Sequence, residues 1–301
     1  MGDIFEAVRE DIAGEHSAII QYLYHAYATS DEELRGKLES IARDEMRHFK
    51  WLNEWLVKNG QKPSIDRAPV ISTGSLKSLI EADIKAEEDT IKQYIEHKAM
   101  TDDEELIALI DRIVADERSH REEFAKILEE LESRDDAETG NPAEEKSGPQ
   151  LAAHEAALLQ QALEHEYTSL LQYLYHYFTT GGSDEYEDFS IDEMKHFGWF
   201  AEALAERGFQ PLLEHRVEEL KSDPESAAKS NLTLEEQAIK KFNEAREKIQ
   251  DQEIKDIFDL ALEHETYHAF SLKKELEKLK KLSGKRFTVG SLKDNGKEEK
   301  R

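Results

Sequence analysis

Apolar residues recur at spacings of three and four along most of the chain, a pattern typical of amphipathic helices. Ser30-Asp31 and Thr101-Asp102 are typical helix starts, and Asn59-Gly60 followed by Pro63 is a typical stop. The first half is therefore predicted to contain four helices, over residues 4–29, 31–59, 75–99 and 102–133.

The second half repeats this plan. Gly208 and Pro211 close its second predicted helix, Asp223-Pro224 opens the third, and Asp251 caps the fourth.

In the first half, the segment 61–73 is longer than the other connections, as required if the chain must return along the bundle after the second helix before the third begins. A crossover four-helix bundle is therefore predicted in each half.

Composition agrees with this reading and narrows the function. Gly and Pro number only 14 and 6 in 301 residues, and runs of β-branched residues are missing, so the class is all-α. The net charge of −27 argues against sequence-independent nucleic-acid binding. Absence of cysteine excludes disulfides and iron centres held by four thiolates. With neither a membrane-spanning stretch nor a signal peptide in the sequence, we expect a cytoplasmic protein without a membrane partner.

Two stretches break the helical pattern. Residues 135–150 are rich in Asp, Glu, Gly, Asn and Pro without periodicity, which predicts a flexible linker. The helical pattern stops at Ser283-Gly284, which predicts a disordered tail. The predicted domains are residues 1–134 and 151–282, with the linker between them and the tail over 283–301.

The two halves share a register of acids and histidines. Gln21-Tyr22-Leu23-Tyr24-His25 returns letter for letter at residues 172–176, and Glu45-Met46-Arg47-His48-Phe49 returns as Glu193-Met194-Lys195-His196-Phe197. The steps from Glu45 to Glu87 to Glu117 are 42 and 30, and the same steps recur in the second half. The chain is therefore read as an internal duplication of a whole domain. The register comprises Glu15, Glu45, His48, Glu87, Glu117 and His120, then Glu166, Glu193, His196, Glu235, Glu265 and His268.

These acids occupy helix positions that should face the core. Glu15, for example, has Ile12, Ile19 and Tyr22 at −3, +4 and +7. Four buried carboxylates in one bundle are prohibitive without protons or cations, whereas two divalent ions balance four negative charges. Mixed carboxylate and imidazole ligands fit iron, or manganese, better than structural zinc. The other histidines lack the register and are read as ordinary core or surface residues: His16, His25, His97, His165 and His176.

With these motifs the chain resembles the ferritin-like di-iron carboxylate superfamily, in the style of bacterioferritins, rubrerythrins and encapsulated ferritins. The resemblance implies two tandem ferritin-like bundles, each with one di-iron centre ligated by its six register residues. It assigns the bridging roles to Glu45 and Glu117, and to Glu193 and Glu265. It also implies that Asp44, Asp116 and Asp192 orient imidazoles of partner helices. Apart from the resemblance, the tyrosines near the proposed ligands are expected either to pack in the core or also to hydrogen-bond a ligand carboxylate: Tyr22, Tyr94 and Tyr173.

The fourth motif departs from this pattern. His264 stands where the other three motifs have an aspartate, and Tyr94 of the first half is replaced by Phe242 in the second. We therefore expect the second site to bind or oxidise metal less well than the first.

The tail segment 287–293 resembles the C-terminal targeting peptides of encapsulin cargo proteins. That resemblance implies docking to the inner wall of an encapsulin shell through Phe287, Val289 and Leu292, with Gly290 and Ser291 permitting a turn. The same Gly-Ser-Leu-Lys letters at residues 74–77 are expected only to start the third helix. The alternative for the tail is an incidental end, whose basic character binds anions nonspecifically.

Three functions remain open from the sequence. The preferred one is a ferroxidase that oxidises Fe(II) with dioxygen or peroxide for iron storage or protection from oxidative stress, inside an encapsulin nanocompartment. The second is a rubrerythrin-like peroxide reductase supplied with electrons from outside, and the third is a non-catalytic helical cargo or scaffold protein. The chain is a possible homo-oligomer.

Overall fold

The structure, a computed structural model, describes residues 3–133, 151–216 and 219–291, with side chains described as far as Leu282. Over these ranges it consists of eight helices and contains no strand, so the all-α prediction with four helices per half is confirmed. None of these helices is both long enough and apolar enough to cross a membrane. In chain order the helices are α1 (Ile4–Tyr27), α2 (Glu32–Lys58), α3 (Leu76–Lys98), α4 (Glu104–Ser133), α5 (Ala153–Thr179), α6 (Asp184–Glu206), α7 (Pro224–Lys248) and α8 (Gln252–Ser291).

The helix starts are fixed by side-chain caps. Asp31 accepts hydrogen bonds from the backbone of Glu33 and Leu34, Ser75 accepts one from Ser78, and Asp223 one from Ser226. Asp251 caps α8 in the same way, as predicted. For α4 the cap is Asp103, one residue later than the predicted Thr101-Asp102 start, because Asp103 is the residue that accepts from the N–H groups of the first turn.

The long connection between α2 and α3 returns along α1, as predicted. Its backbone is held by side chains spaced one to two turns apart on that helix: Ser17 accepts from the Ala68 N–H (2.8 Å), and Gln21 accepts from the Ile71 N–H (3.0 Å). His16 donates to the carbonyl of Ile65 (3.0 Å). The connection therefore satisfies its polar backbone groups against α1 rather than leaving them all to solvent.

Contacts between side chains fix the direction of the first four helices. Along α1 the residue numbers rise while those of their partners on α3 fall, so these two helices are antiparallel, and the same holds for α2 and α4. The core between them contains fully buried aliphatic side chains such as Ile12, Leu38 and Leu52. This crossover bundle brings the middle of all four helices together.

The described residues divide into two compact units that differ from the two sequence repeats. Among the described residues, one unit comprises 3–133, 151–167 and 195–216, and the other comprises 168–194 and 219–291. Because the boundary passes through α5 and α6, the first unit holds the start of α5 and the end of α6. In the second unit a core cluster contains Tyr173, Tyr186, Phe189 and Leu272. The predicted linker lies outside the described residues.

Helix α8 continues beyond the predicted stop. The sequence predicted an end at Leu282, before Ser283-Gly284, but the helical backbone runs to Ser291. A glycine disfavours a helix interior by only about 1 kcal/mol, which does not end a helix by itself when no proline follows. The predicted extended docking segment is therefore helical over Phe287–Ser291, while its side chains and Leu292 lie outside the described part.

Candidate metal centre

Six side chains of the first repeat converge at the centre of the α1–α4 bundle. Their ligand atoms form two groups, in each of which all atoms lie within 4.8 Å of one another and every residue is buried. Glu45 and Glu117 belong to both groups, Glu15 and His48 to one, and Glu87 and His120 to the other. Glu45 and Glu117 could therefore contribute ligand atoms to either of two metal ions.

The imidazoles point one nitrogen inward and one outward. His48 Nδ1 lies 2.9 Å from both Glu45 Oε2 and Glu117 Oε1, and 3.4 Å from Glu15 Oε2. His120 Nδ1 lies 2.9 Å from Glu45 Oε1. Both Nδ1 atoms therefore face carboxylate oxygens that a shared cation would contact.

The outward nitrogens meet the aspartates that precede the partner motifs. His48 Nε2 lies 3.5 Å from Asp116 Oδ2, and His120 Nε2 lies 3.3 Å from Asp44 Oδ2. Each aspartate thus reaches across to the histidine of the opposite helix. An Nε2–H held in this way leaves the Nδ1 lone pair for a metal and fixes the ring orientation.

Two buried tyrosines hold the remaining glutamates. Tyr22 donates to Glu87 Oε1 (2.5 Å), and Tyr94 donates to Glu15. Both tyrosines are about 1 % exposed, so water does not replace these bonds. The hydroxyls therefore fix the orientation of the two carboxyl groups that are not shared between the groups of ligands.

Charge in this centre is balanced by protons when no cation is bound. Burial, together with the neighbouring Glu117, raises the pKa of Glu15 and Glu87 well above the ordinary value. Burial alone would lower the pKa of His120, but Glu117 and Glu45 raise it to about 10. The pKa of His48 is also raised against burial, chiefly by Glu15 and then by Glu117 and Glu45. Glu117 shows the opposite shift: burial alone would raise its pKa, but the neighbouring Glu87 carboxyl and the two histidine rings lower it.

The donor set fits a pair of divalent cations. Glu87 Oε2 is buried and has no hydrogen-bond partner. His120 Nδ1, although 2.9 Å from Glu45 Oε1, is not aligned for a hydrogen bond. Buried polar atoms are normally paired, and a cation supplies the missing partner for both. Four carboxylates would also neutralise two divalent ions.

The second repeat contains the same set of glutamates and histidines, and some of them belong to each of the two compact units. In the first unit, His196 Nδ1 lies 3.4 Å from Glu166 Oε2. In the second, Glu193, Glu235, Glu265 and His268 form a buried group with ligand atoms within 4.8 Å of one another. His196 follows Glu193 by one turn of α6.

His268 is placed like its first-repeat counterpart. Its Nδ1 lies 3.3 Å from Glu193 Oε1, its Nε2 lies 3.4 Å from Asp192 Oδ2, and the carboxylates raise its pKa to about 9 despite burial. Tyr173 donates to Glu235, as Tyr22 does to Glu87. The two nitrogens of His268 therefore have the same kinds of neighbour as those of His120 in the first repeat.

Sequence reasoning missed a second buried polar cluster beside the first centre. His25 Nδ1 lies 2.7 Å from Asp83 Oδ2, and Gln21 donates to Asp83 Oδ1 (2.9 Å). Asp83 stands one turn before Glu87, which is the signal that a search of the core-facing positions would have found. In the second repeat the partner is neutral, because His176 donates to Asn231 (2.7 Å) instead.

Other polar residues on the core face were also missed. Asp11, one turn before Glu15, is 2 % exposed and accepts from His97 Nδ1 (2.8 Å). His16 pairs with Tyr167 (2.5 Å). The reading of His16, His25, His97 and His176 as ordinary histidines with local partners agrees with these contacts. His165 is likewise buried and lies 2.9 Å from Arg216 Nη2.

Residues 5–133 match the family model of the ferritin-like domain. This segment is a ferritin-like domain. The chain is similar to the bacterioferritin of Desulfovibrio desulfuricans, with 28% identity over 131 residues that cover 41% of this chain and 73% of that protein. The ferritin-like domain thus has a bacterioferritin among its relatives, and the second half of the chain repeats the motifs of that domain.

Two solved bacterioferritin structures also resemble the chain. One, from Mycobacterium tuberculosis, is 24% identical and covers 46% of this chain and 93% of that one, with a TM-score of 0.42. The other, from Desulfovibrio desulfuricans, describes the di-iron site in different catalytic states; it is 25% identical and covers 45% and 84%, also at 0.42.

Proposed function

We propose that this protein is a ferroxidase, which binds Fe(II) in pairs at two carboxylate–histidine centres and releases it as Fe(III) for storage. One observation carries the proposal: two overlapping groups of ligand atoms share Glu45 and Glu117 in a buried bundle core. A centre that holds only one ion has no need of two shared carboxylates. Iron is the preferred metal because carboxylate and imidazole ligands suit it, and manganese is the second choice.

The iron supplies the redox chemistry, and the protein supplies the binding site. Two Fe(II) ions lose two electrons in total, which reduce one dioxygen to hydrogen peroxide with two protons, or one peroxide to two waters. The four glutamates neutralise the incoming charge, the histidines offer Nδ1, and Asp44 and Asp116 keep the imidazole rings in place. Because the pKa values of Glu15, Glu87 and both histidines are raised in the metal-free protein, we expect cation binding to release protons.

The second centre is proposed from the register as well as from the structure. Glu193, Glu235, Glu265 and His268 are already grouped, and Glu166 and His196 complete the set by their matching places in the repeat. We propose a di-iron site here too, with weaker metal binding because Phe242 lacks the hydroxyl that Tyr94 gives to Glu15.

Fe(II) oxidation by the metal-free protein tests this function. Stopped-flow mixing of Fe(II) with aerated protein should show oxidation of about two irons per site, followed by further turnover. The variant with both Glu45→Ala and Glu193→Ala should lose this phase, whereas Glu88→Ala, which removes an exposed glutamate next to Glu87, should keep it. Oxidation no faster than in buffer alone would contradict the proposal and favour a structural helical protein.

The same assay distinguishes a ferroxidase from a peroxide reductase. That enzyme needs sustained electron delivery, and this chain has no cysteine for an internal thiolate-ligated iron centre. Peroxide consumption that continues only with an added reductant, without net accumulation of Fe(III), would favour it.

We further propose that the tail segment 287–293 places the protein inside an encapsulin shell, on the strength of the sequence resemblance alone.

A further inference from the structure

Helix α8 presents an apolar stripe to solvent. Leu260, Tyr267 and Phe270 are 49%, 60% and 54% exposed, whereas other large apolar side chains of this helix, such as Phe258 and Leu272, are buried in the core. The three positions are separated by seven and three residues, so they lie along one line of the helix. Single exposed apolar residues are common, but an aligned set that includes two aromatic rings is typical of an interaction surface.

The first repeat shows that the bundle does not need this stripe. The register places Arg112, Ser119 and Glu122 of α4 at the positions of Leu260, Tyr267 and Phe270, and all three are exposed and polar. Both helices otherwise carry the same Glu-x-x-His motif. The apolar residues on α8 are therefore specific to its outward face and are unrelated to the proposed metal centre.

Charge along the same line identifies the partner. Asp256 and Glu263 stand on the N-terminal side of the two aromatic residues, and Lys274, Glu277 and Lys281 stand on the C-terminal side; with Leu260 they follow alternating steps of three and four. These five charged residues are exposed. The net charge of the stripe is therefore negative on one side of the rings and positive on the other, which complements a second copy in the antiparallel direction.

We propose that two copies of this chain associate through an antiparallel pairing of their α8 helices. A twofold axis between residues 268 and 269 places Tyr267 against Phe270 of the partner subunit. It also pairs Glu263 with the partner's Lys274 and Asp256 with the partner's Lys281, and it places Leu260 against the aliphatic part of the partner's Glu277. The paired length, Asp256 to Lys281, is about 38 Å at the rise of an α-helix. The three-and-four spacing is that of helices packed as a coiled coil.

One contact within the chain supports the central position of the rings. Lys274 Nζ lies 4.0 Å from the centroid of the Phe270 ring, so a cation already covers one part of this aromatic side chain. Pairing would bring the partner's Glu263 to this cation and the partner's Tyr267 to the ring. Aromatic pairs surrounded by opposite charges are typical centres of protein interfaces.

Sedimentation velocity of the full chain tests the association. The wild type should be a dimer, and Tyr267→Ser with Phe270→Glu, which copies Ser119 and Glu122 onto α8, should raise the dissociation constant at least about 30-fold. Ser119→Ala on α4 is the matched control and should change nothing. A wild type that stays monomeric at a concentration of about 100 µM, or a dimer that the double variant leaves intact, would overturn the proposal.

Charge reversal tests the direction of pairing. Glu263→Lys and Lys274→Glu should each weaken the dimer by about tenfold, and the protein carrying both changes should bind several-fold more tightly than either single variant. If the losses of affinity in the two single variants simply add in the double variant, the antiparallel register is refuted.

Because the chain has no cysteine, a disulfide gives an independent readout that does not depend on affinity. Oxidation of Glu263→Cys mixed with Lys274→Cys should cross-link the two proteins, whereas each variant alone should stay uncross-linked. Cross-linking of each variant to itself would indicate a parallel pairing and contradict the proposal.

Discussion

The hydroxyl of Tyr94 should matter more when the first centre holds metal than when it is empty. Tyr94 donates to Glu15, and both side chains are at most 3 % exposed, so in Tyr94→Phe no solvent water replaces the lost donor. In the metal-free protein, burial and the neighbouring Glu117 raise the pKa of Glu15, which favours its neutral carboxyl. With a cation bound, the same carboxyl is ionised and becomes the stronger acceptor.

The size of the effect follows from this change of charge. A hydrogen bond between neutral groups contributes about 0.5–1.5 kcal/mol, and one to a charged group about 1.5–3 kcal/mol. The difference of about 1–1.5 kcal/mol is lost only from the metal-bound state, which corresponds to a roughly tenfold weaker metal affinity. Stability of the metal-free fold should fall by about 1 kcal/mol as well, because the neutral bond is lost in both states.

Isothermal titration with Zn(II), which is not oxidised, measures this affinity. The Glu193→Ala background confines the measurement to the first centre. Tyr186→Phe is the matched control, because this buried tyrosine donates to Glu275 (3.0 Å) outside the proposed ligand set. An affinity that Tyr94→Phe leaves unchanged, alongside a lowered melting temperature, would show that Tyr94 only packs and would refute the reasoning.

Three further outcomes are expected. Glu45→Ala should reduce the Fe(II) oxidation rate more than Glu193→Ala in stopped-flow traces, because the second centre is predicted to be weaker; equal losses would contradict this. Burial lowers the pKa of His176 from about 6.5 to about 4, so the unfolded state binds more protons between these values. The free energy of unfolding should therefore fall by about 3 kcal/mol from this residue as pH drops from 6.5 to 4, and chemical denaturation of His176→Gln should lack that part of the decline. Truncation after Leu282 should preserve Fe(II) oxidation and abolish loading into a co-expressed encapsulin shell, whereas retained loading would exclude docking by the tail.

The fold was predictable because the cues act locally. Asp31 and Asp223 accept hydrogen bonds from the first turns of their helices regardless of what packs nearby, so helix starts could be located to within a few residues. The end of α8 could not be located. Ser283-Gly284 weakens a helix without forbidding it, so the stop depends on energies too small to infer from residue types.

The candidate centre was predictable from its repetition. A single Glu-x-x-His carries little information, but the steps shared by the halves singled out these acids and histidines, and the structure places Glu45 and Glu117 in both overlapping groups of ligand atoms. The partners of other buried polar residues were beyond this argument. Asp83 meets His25 across two helices, and only tertiary packing sets that distance.

The hydrogen bonds between the α2–α3 connection and α1 affect how this protein tolerates insertions. Extended surface segments usually accept added residues because their backbone groups are exposed to water. Here the Ile71 carbonyl accepts from the buried His25, and the Ala68 N–H donates to Ser17, so lengthening the chain between them would break one of these bonds or leave the buried imidazole without its acceptor. An inserted peptide tag or reporter should therefore be placed elsewhere, and amide exchange at Ala68 and Ile71 should be as slow as in the adjacent helix.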